Sequence, residues 1–162
     1  MKKRLLAEKS VEVLEQFRII VKSVRQHYQH VQRRAGLNGA ALWALAQVAE
    51  QPGVKVGDLA RSMAVHQSTA SNLVRTLERQ ALVTRERHAG DQRQVKVLAT
   101  RKGLKVLKGA PRPLIGVLQQ ALSELPPARL HALHAELAHV IALMRSKAIT
   151  AARELPLSEI AD

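Results

Sequence analysis

A chain of 162 residues with no cysteine and only three aromatic residues, Phe17, Tyr28 and Trp43, can build one ordinary core from Leu, Val, Ile and Ala. It excludes disulfide frameworks, thiolate zinc sites and thiol-based oxidant sensing. The formal charge of +13, from 26 Lys and Arg against 13 Asp and Glu, points to a polyanionic partner. Met1–Leu6 is not followed by an apolar run of signal-peptide length, and no stretch of about 18 apolar residues occurs, so a cytoplasmic protein without a membrane partner is expected.

The chain opens with a helical pattern over Ser10–Arg34. Val13, Phe17, Ile20, Val24, Tyr28 and Val31 follow steps of three and four and share one face. A helix of that length, about 37 Å, is too long to bury its stripe against a small domain alone, so it calls for a partner chain. Gly36 supplies the stop. Asn38 is placed to cap a second helix through Leu42, Leu45 and Val48, which ends before the Pro52-Gly53 turn signal.

A short extended stretch, Val54–Val56, leads into a short helix over Asp58–Val65 and, after a brief turn, a longer one over Gln67–Gln80. These form a helix-turn-helix. Two strand-like segments follow, Leu82–His88 and Arg93–Ala99, joined by a tip at Ala89–Gln92. The second alternates cleanly, with Val95 and Val97 on one face and Gln94, Lys96 and Leu98 on the other. Thr100 is an N-cap for the next helix, which Pro111 and Pro113 divide into two segments. Pro126-Pro127 opens the last helix, with a stripe of Leu130, Leu133, Leu137, Val140, Ile141 and Met144. The tail after Thr150 is expected to dock loosely or not at all.

The basic surplus is uneven. Residues 1–53 carry a net +5, residues 54–110 a net +8 and residues 111–162 none, so the nucleic-acid surface should lie in the middle third. There, a 100° projection of Ser68–Arg79 puts Ala70, Leu73, Val74 and Leu77 on an anchoring side and Ser68, Asn72, Arg75 and Arg79 opposite. Gln67, Thr69 and Ser71 complete the candidate reading surface. Arg can make a bidentate contact to guanine and Asn to adenine, while hydroxyls reach bases or phosphates. The hairpin adds Arg85, Arg87, Arg93 and Lys96. Arginines at the end of a twisted ribbon suit a minor groove, and Asp91 is placed to orient the Arg93 guanidinium or to stabilise the turn. The architecture expected is mainly α with a small β-hairpin wing. It divides into an N-terminal arm over 1–36, a winged helix-turn-helix over 37–100, C-terminal helices over 101–150 and a tail over 151–162.

Over Val54–Gly103 the chain resembles the MarR family of bacterial regulators. The stretch VGDLARSMAVHQSTASNLVRTLERQALV has the family's two-helix spacing, and DQRQVKVLATRKG resembles its Asp-x-Arg wing signature followed by strand and helix start. The resemblance implies a homodimer held by interlocked terminal helices, binding a pseudo-palindromic site in double-stranded DNA. The helix from Gln67 would enter the major groove and Arg93 the minor groove. It also implies a small-molecule effector held between arms and winged domain, for which Phe17, Tyr28 and Trp43 are the candidate lining residues. The simplest function is then a repressor released by that effector. Three departures stand out: Ala64 and Ala81 occupy positions where the family commonly has glycine, Lys55 stands near its usual Thr or Ser cap, and Asn72 and Arg75 replace its frequent Arg and Asp.

Other chemistries find little support. His27 and His30 on the first helix and His131 and His134 on the last have the i, i+3 spacing of metal ligands. No cysteine and few acids assist them, and no metal or other cofactor is assigned. There is no phosphate-cradling glycine loop, nucleophile elbow or carboxylate pair, so no catalytic residue is assigned and the chain is not read as an enzyme. The alternative function is an architectural DNA- or RNA-binding protein without sequence preference.

Overall fold

A computed structural model of the chain describes residues 2–88 and 91–144, with side-chain surroundings described for 8–86 and 95–144. In chain order the elements are α1 (Lys2–Ala35), α2 (Gly39–Glu50), β1 (Val54–Lys55), α3 (Val56–Ser62), α4 (Gln67–Arg79), β2 (Val83–His88), β3 (Asp91–Ala99), α5 (Arg101–Gly109), α6 (Val117–Ser123) and α7 (Pro127–Leu143). The strands form one antiparallel sheet in the order β1-β3-β2. The molecule is mainly helical with a small hairpin sheet, as its residue pattern predicts.

The caps work as their side chains suggest. Asn38 Oδ1 accepts the Ala41 amide at 2.7 Å, and Thr100 Oγ1 accepts the Gly103 amide at 3.0 Å, each satisfying an orphan donor of a first helical turn. Gly36 takes the left-handed conformation that ends α1, with φ +65°, a region glycine enters without steric cost. Pro111 and Pro113 fall between α5 and α6, which are separate segments.

The core forms around α2. Leu42, Ala44, Leu45 and Val48 are fully buried, and around them pack Val31 of α1, Leu59 of α3, Val74 and Leu77 of α4, and Val83 and Val97 of the sheet. Leu107 of α5 closes the cluster, so the packed unit reaches beyond residues 37–100 at both ends. Two glycines set its tightest approaches. A Cβ on Gly39 would lie 2.1 Å from ring carbons of Tyr28, and one on Gly103 would lie 2.2 Å from the Leu82 carbonyl oxygen. Neither position has room for a side chain.

Several boundaries differ from the sequence reading. The first helix begins at Lys2 rather than Ser10. The third begins at Val56 and ends at Ser62, not over Asp58–Val65, because Val54 and Lys55 alone pair with Val97 and Lys96 across the sheet. Asp91 and Gln92 belong to β3 rather than to the hairpin tip. Ala64 and Ala81 both have positive φ, 53° and 57°, which for a residue with a Cβ costs about 1 kcal/mol or more. Those are the two positions where glycine would have been the unstrained choice. The tail after Thr150 lies outside the described residues.

Outside the core the picture changes. Val11, Val13, Leu14, Phe17, Ile19, Ile20 and Val21 of α1 are exposed, while Val24 and Val31 further along the same helix are buried. No residue of α7 is buried, and its Leu130, Leu133, Val140 and Ile141 face outward.

Candidate nucleic-acid interface

The separation of faces on α4 is complete. Ala70, Leu73, Val74 and Leu77 are buried, while Gln67, Ser68, Asn72, Arg75 and Arg79 are exposed and Thr69 and Ser71 half-buried at the flanks. Thus all seven candidate reading residues of this helix lie off its buried face. The buried side explains the exposed one: four apolar contacts fix the helix about its own axis, so the opposite face has a defined direction.

Within that face the polar side chains hold one another. Arg75 Nη1 donates to Asn72 Oδ1 at 3.2 Å, and Arg79 Nη2 donates to Thr76 Oγ1 at 3.3 Å. Each link spans one helical turn, as i, i+3 neighbours can. The Arg75 guanidinium is thereby steered without being neutralised, since an amide oxygen is no counter-ion. At the far end of α4, Lys102 Nζ donates to the Gln80 carbonyl at 2.8 Å. This satisfies a C-terminal carbonyl and ties the helix to α5.

Arg85 is placed differently from the expectation of a groove contact. It stands opposite Val97 in the β2–β3 register, on the side of the sheet that faces the core, and its Nη2 lies 2.9 Å from Glu78 Oε2 of α4. It braces the wing against the reading helix. Sequence pattern missed this because Glu78 and Arg85 belong to separate elements, although their charges were visible.

Lys96 lies on the other face of the sheet, in register with Lys55 on one side and Glu86 on the other. The side chains of Arg87, Asp91 and Arg93, and hence the expected Asp91–Arg93 pairing, fall outside the described residues. The hairpin backbone that carries them is present, with an irregularity in pairing between Arg87 and His88.

The candidate effector residues do not share one surface in the single chain. Tyr28 is wedged against Gly39 and accepts a hydrogen bond from Gln119 Nε2 at 3.4 Å. Burial raises its phenol pKa, and the Gln119 hydrogen bond partly offsets this. Trp43 packs against the edge of the core. Phe17 stands three turns of α1 away from Tyr28, about 16 Å along the axis, beside Leu14, Arg18 and Val21. Next to Tyr28, His27 is held below its ordinary pKa by burial. The Pro113 carbonyl opposes that shift by accepting a hydrogen bond, and the nearby His30 adds to it. Among the described residues, no three His, Asp or Glu side chains gather as metal ligands.

A helix pair with an oriented polar face, braced by a basic two-stranded ribbon, forms a winged helix-turn-helix domain, an architecture that recurs among DNA-binding proteins. The MarR family model matches residues 35–94, from the end of α1 into β3. Solved structures share its fold at low identity. Sco3205 of Streptomyces coelicolor, a MarR family regulator in complex with DNA, superimposes with a TM-score of 0.57 at 23% identity, over 84% of this chain and 88% of its own. The MepR–DNA complex of Staphylococcus aureus gives a TM-score of 0.56 at 23% identity, over 79% and 95%. A MepR-like protein complexed with pseudoligands gives a TM-score of 0.58 at 20% identity, over 80% and 91%. No curated protein matches the chain. No helix among the described residues is long and apolar enough to cross a membrane.

Proposed function

We propose that the protein is a homodimeric, sequence-specific repressor that reads a pseudo-palindromic operator and is released by a small-molecule effector. The observation that carries the reading is the division of α4 into a buried apolar side and an exposed Ser68, Asn72, Arg75 and Arg79 side. In this reading α4 enters the major groove, where Arg75 and Asn72 meet base edges and Gln67, Ser68, Thr69, Ser71 and Arg79 meet bases or phosphates. Arg87 and Arg93 on the wing reach the minor groove, and Arg85 acts through Glu78 by setting the angle between wing and helix.

The dimer is supported by the exposed apolar stripes of α1 and α7, which a second copy would cover. Residues 1–36 and 101–150 then serve mainly as arms. Two heads would meet half-sites about one helical turn of DNA apart, roughly 34 Å. The effector site is assigned to the joint between arms and winged domain, where Tyr28 and Trp43 lie. Phe17 would contribute from further along α1, where the partner's arm packs. Release follows if the ligand favours a spacing of heads that no longer matches the half-sites.

The opposing reading, a binder without sequence preference, draws on the overall charge of +13. Competition between the gene's own upstream duplex and random duplex separates the two. Specific sites ordinarily win by about a thousandfold or more, and that is the expected outcome. A preference below about tenfold would overturn the regulator.

A further inference from the structure

Lys55 is poorly suited to its position in the free protein. It is the N-cap residue of α3 and makes no side-chain capping bond there, since an ammonium has no lone pair to offer the orphan amides. Its positive charge also sits at the positive end of the helix, where an acidic or hydroxyl side chain is favoured. Across the sheet it stands directly opposite Lys96, and like charges in that relation are destabilising. Glu86 faces Lys96 from the other strand, so the row runs from one carboxylate to two ammonium groups, with Lys55 at the uncompensated end.

The nearest acid on its own side does not correct this. Asp58 borders the same cleft but is ion-paired with Arg61. Among the described residues no carboxylate pairs with Lys55. A residue that conflicts with capping, helix polarity and strand pairing together is one whose side chain serves something outside the fold.

Its surroundings indicate what that is. Lys55 is exposed and borders a cleft of about 380 Å³ whose wall includes Gln67 and Ser71 of the reading helix and Val95 of the wing strand. The cleft therefore lies between the start of α4 and strand β3 of the wing. In the DNA-binding reading, a backbone running from the groove read by α4 towards the groove reached by the wing would cross that point. We infer that Lys55, with Lys96 behind it, holds a DNA backbone phosphate at the junction of the reading helix and the wing.

This inference rests on the DNA-binding reading and assigns Lys55 a positioning role without base preference. The phosphate fixes the depth of α4 in the groove, and the bases remain the task of Arg75 and Asn72.

The test compares wild type, Lys55→Ser and Lys55→Arg in binding the upstream duplex and a random duplex across a salt series, together with thermal unfolding of the free proteins. Serine removes the charge and supplies the missing cap. The expected result is weaker binding of both duplexes by the same factor, with the log–log salt slope shallower by about 0.9 for each lysine removed. The same variant should melt a few degrees higher, about 2–4 °C, and Lys55→Arg should keep the wild-type slope. An unchanged slope for Lys55→Ser, or a lower melting temperature, would overturn the assignment. Failure of the wild type to prefer its upstream duplex overturns the regulator instead, and the clamp is then judged on the random duplex.

Discussion

The winged head and the helical arms use the same apolar residue types to opposite ends. In the head, Leu45, Leu59, Val74, Leu77 and Val97 are fully buried, and every element from β1 to β3 has at least one neighbour that covers its apolar side. In the arms, Val13, Leu14, Phe17, Ile20, Leu133 and Ile141 stand in the open, although their helical spacing is as regular as that of the core. Periodicity tells which residues want cover. It does not tell whether the cover comes from the same chain, and α1 crosses that boundary within one helix, buried at Val24 and Val31 and bare at Phe17.

The sharpest way to break this contrast is to charge the arm. Phe17→Asp places a carboxylate in the stripe that the second copy would bury, and an unpaired buried charge costs several kcal/mol. Light scattering should then find a monomer at concentrations where the wild type is dimeric, with operator affinity reduced by about a hundredfold or more. Far-UV dichroism of the head should be retained. A monomeric wild type would remove the contrast altogether.

A smaller effect is expected from the head's own core. Leu45→Ala empties a fully buried site beside Gly103, and deletions of this kind cost about 2–5 kcal/mol. Denaturant melts should show the loss, and at low denaturant the variant should still dimerise through its arms. If Leu45→Ala dissolved the dimer while the head kept its stability, the assignment of the two regions would be reversed.

Much of this division is legible in the residues themselves. Asn38 and Thr100 announced caps because a short polar oxygen preceded an apolar helical pattern, and Pro126-Pro127 announced the start of α7. The reading face of α4 followed from a projection of Ser68–Arg79 alone. What escaped depended on contacts between elements. The start of α3 at Val56 is set by a two-residue pairing with β3, more than forty positions away in the chain, and Lys55 carries no capping signal to mark it. Arg85 reads as one more wing cation until the register turns it inward to Glu78. The strain at Ala64 and Ala81 was invisible because alanine carries no turn signal. Only comparison with the family's glycines marked those positions. The bracing of Arg75 by Asn72 is within reach of the i, i+3 rule, but a projection shows which residues share a face and not which of them hold one another.

The contrast also sharpens what each region contributes to recognition. The head supplies the direction of α4 through its buried side, and in the proposed dimer the arms would supply the distance between two such helices. Base preference should therefore depend on one face of the head, and half-site spacing on the arms. Selection of bound duplexes from a random pool, by wild type and by Arg75→Ala, tests this most directly. Two enriched half-sites centred about one helical turn apart are expected for the wild type. Arg75→Ala should keep that spacing and lose preference at one base pair in each half-site, worth about 1–3 kcal/mol. A wild-type pool without any enriched sequence, or a variant whose preferences match the wild type at every position, would overturn this division of roles.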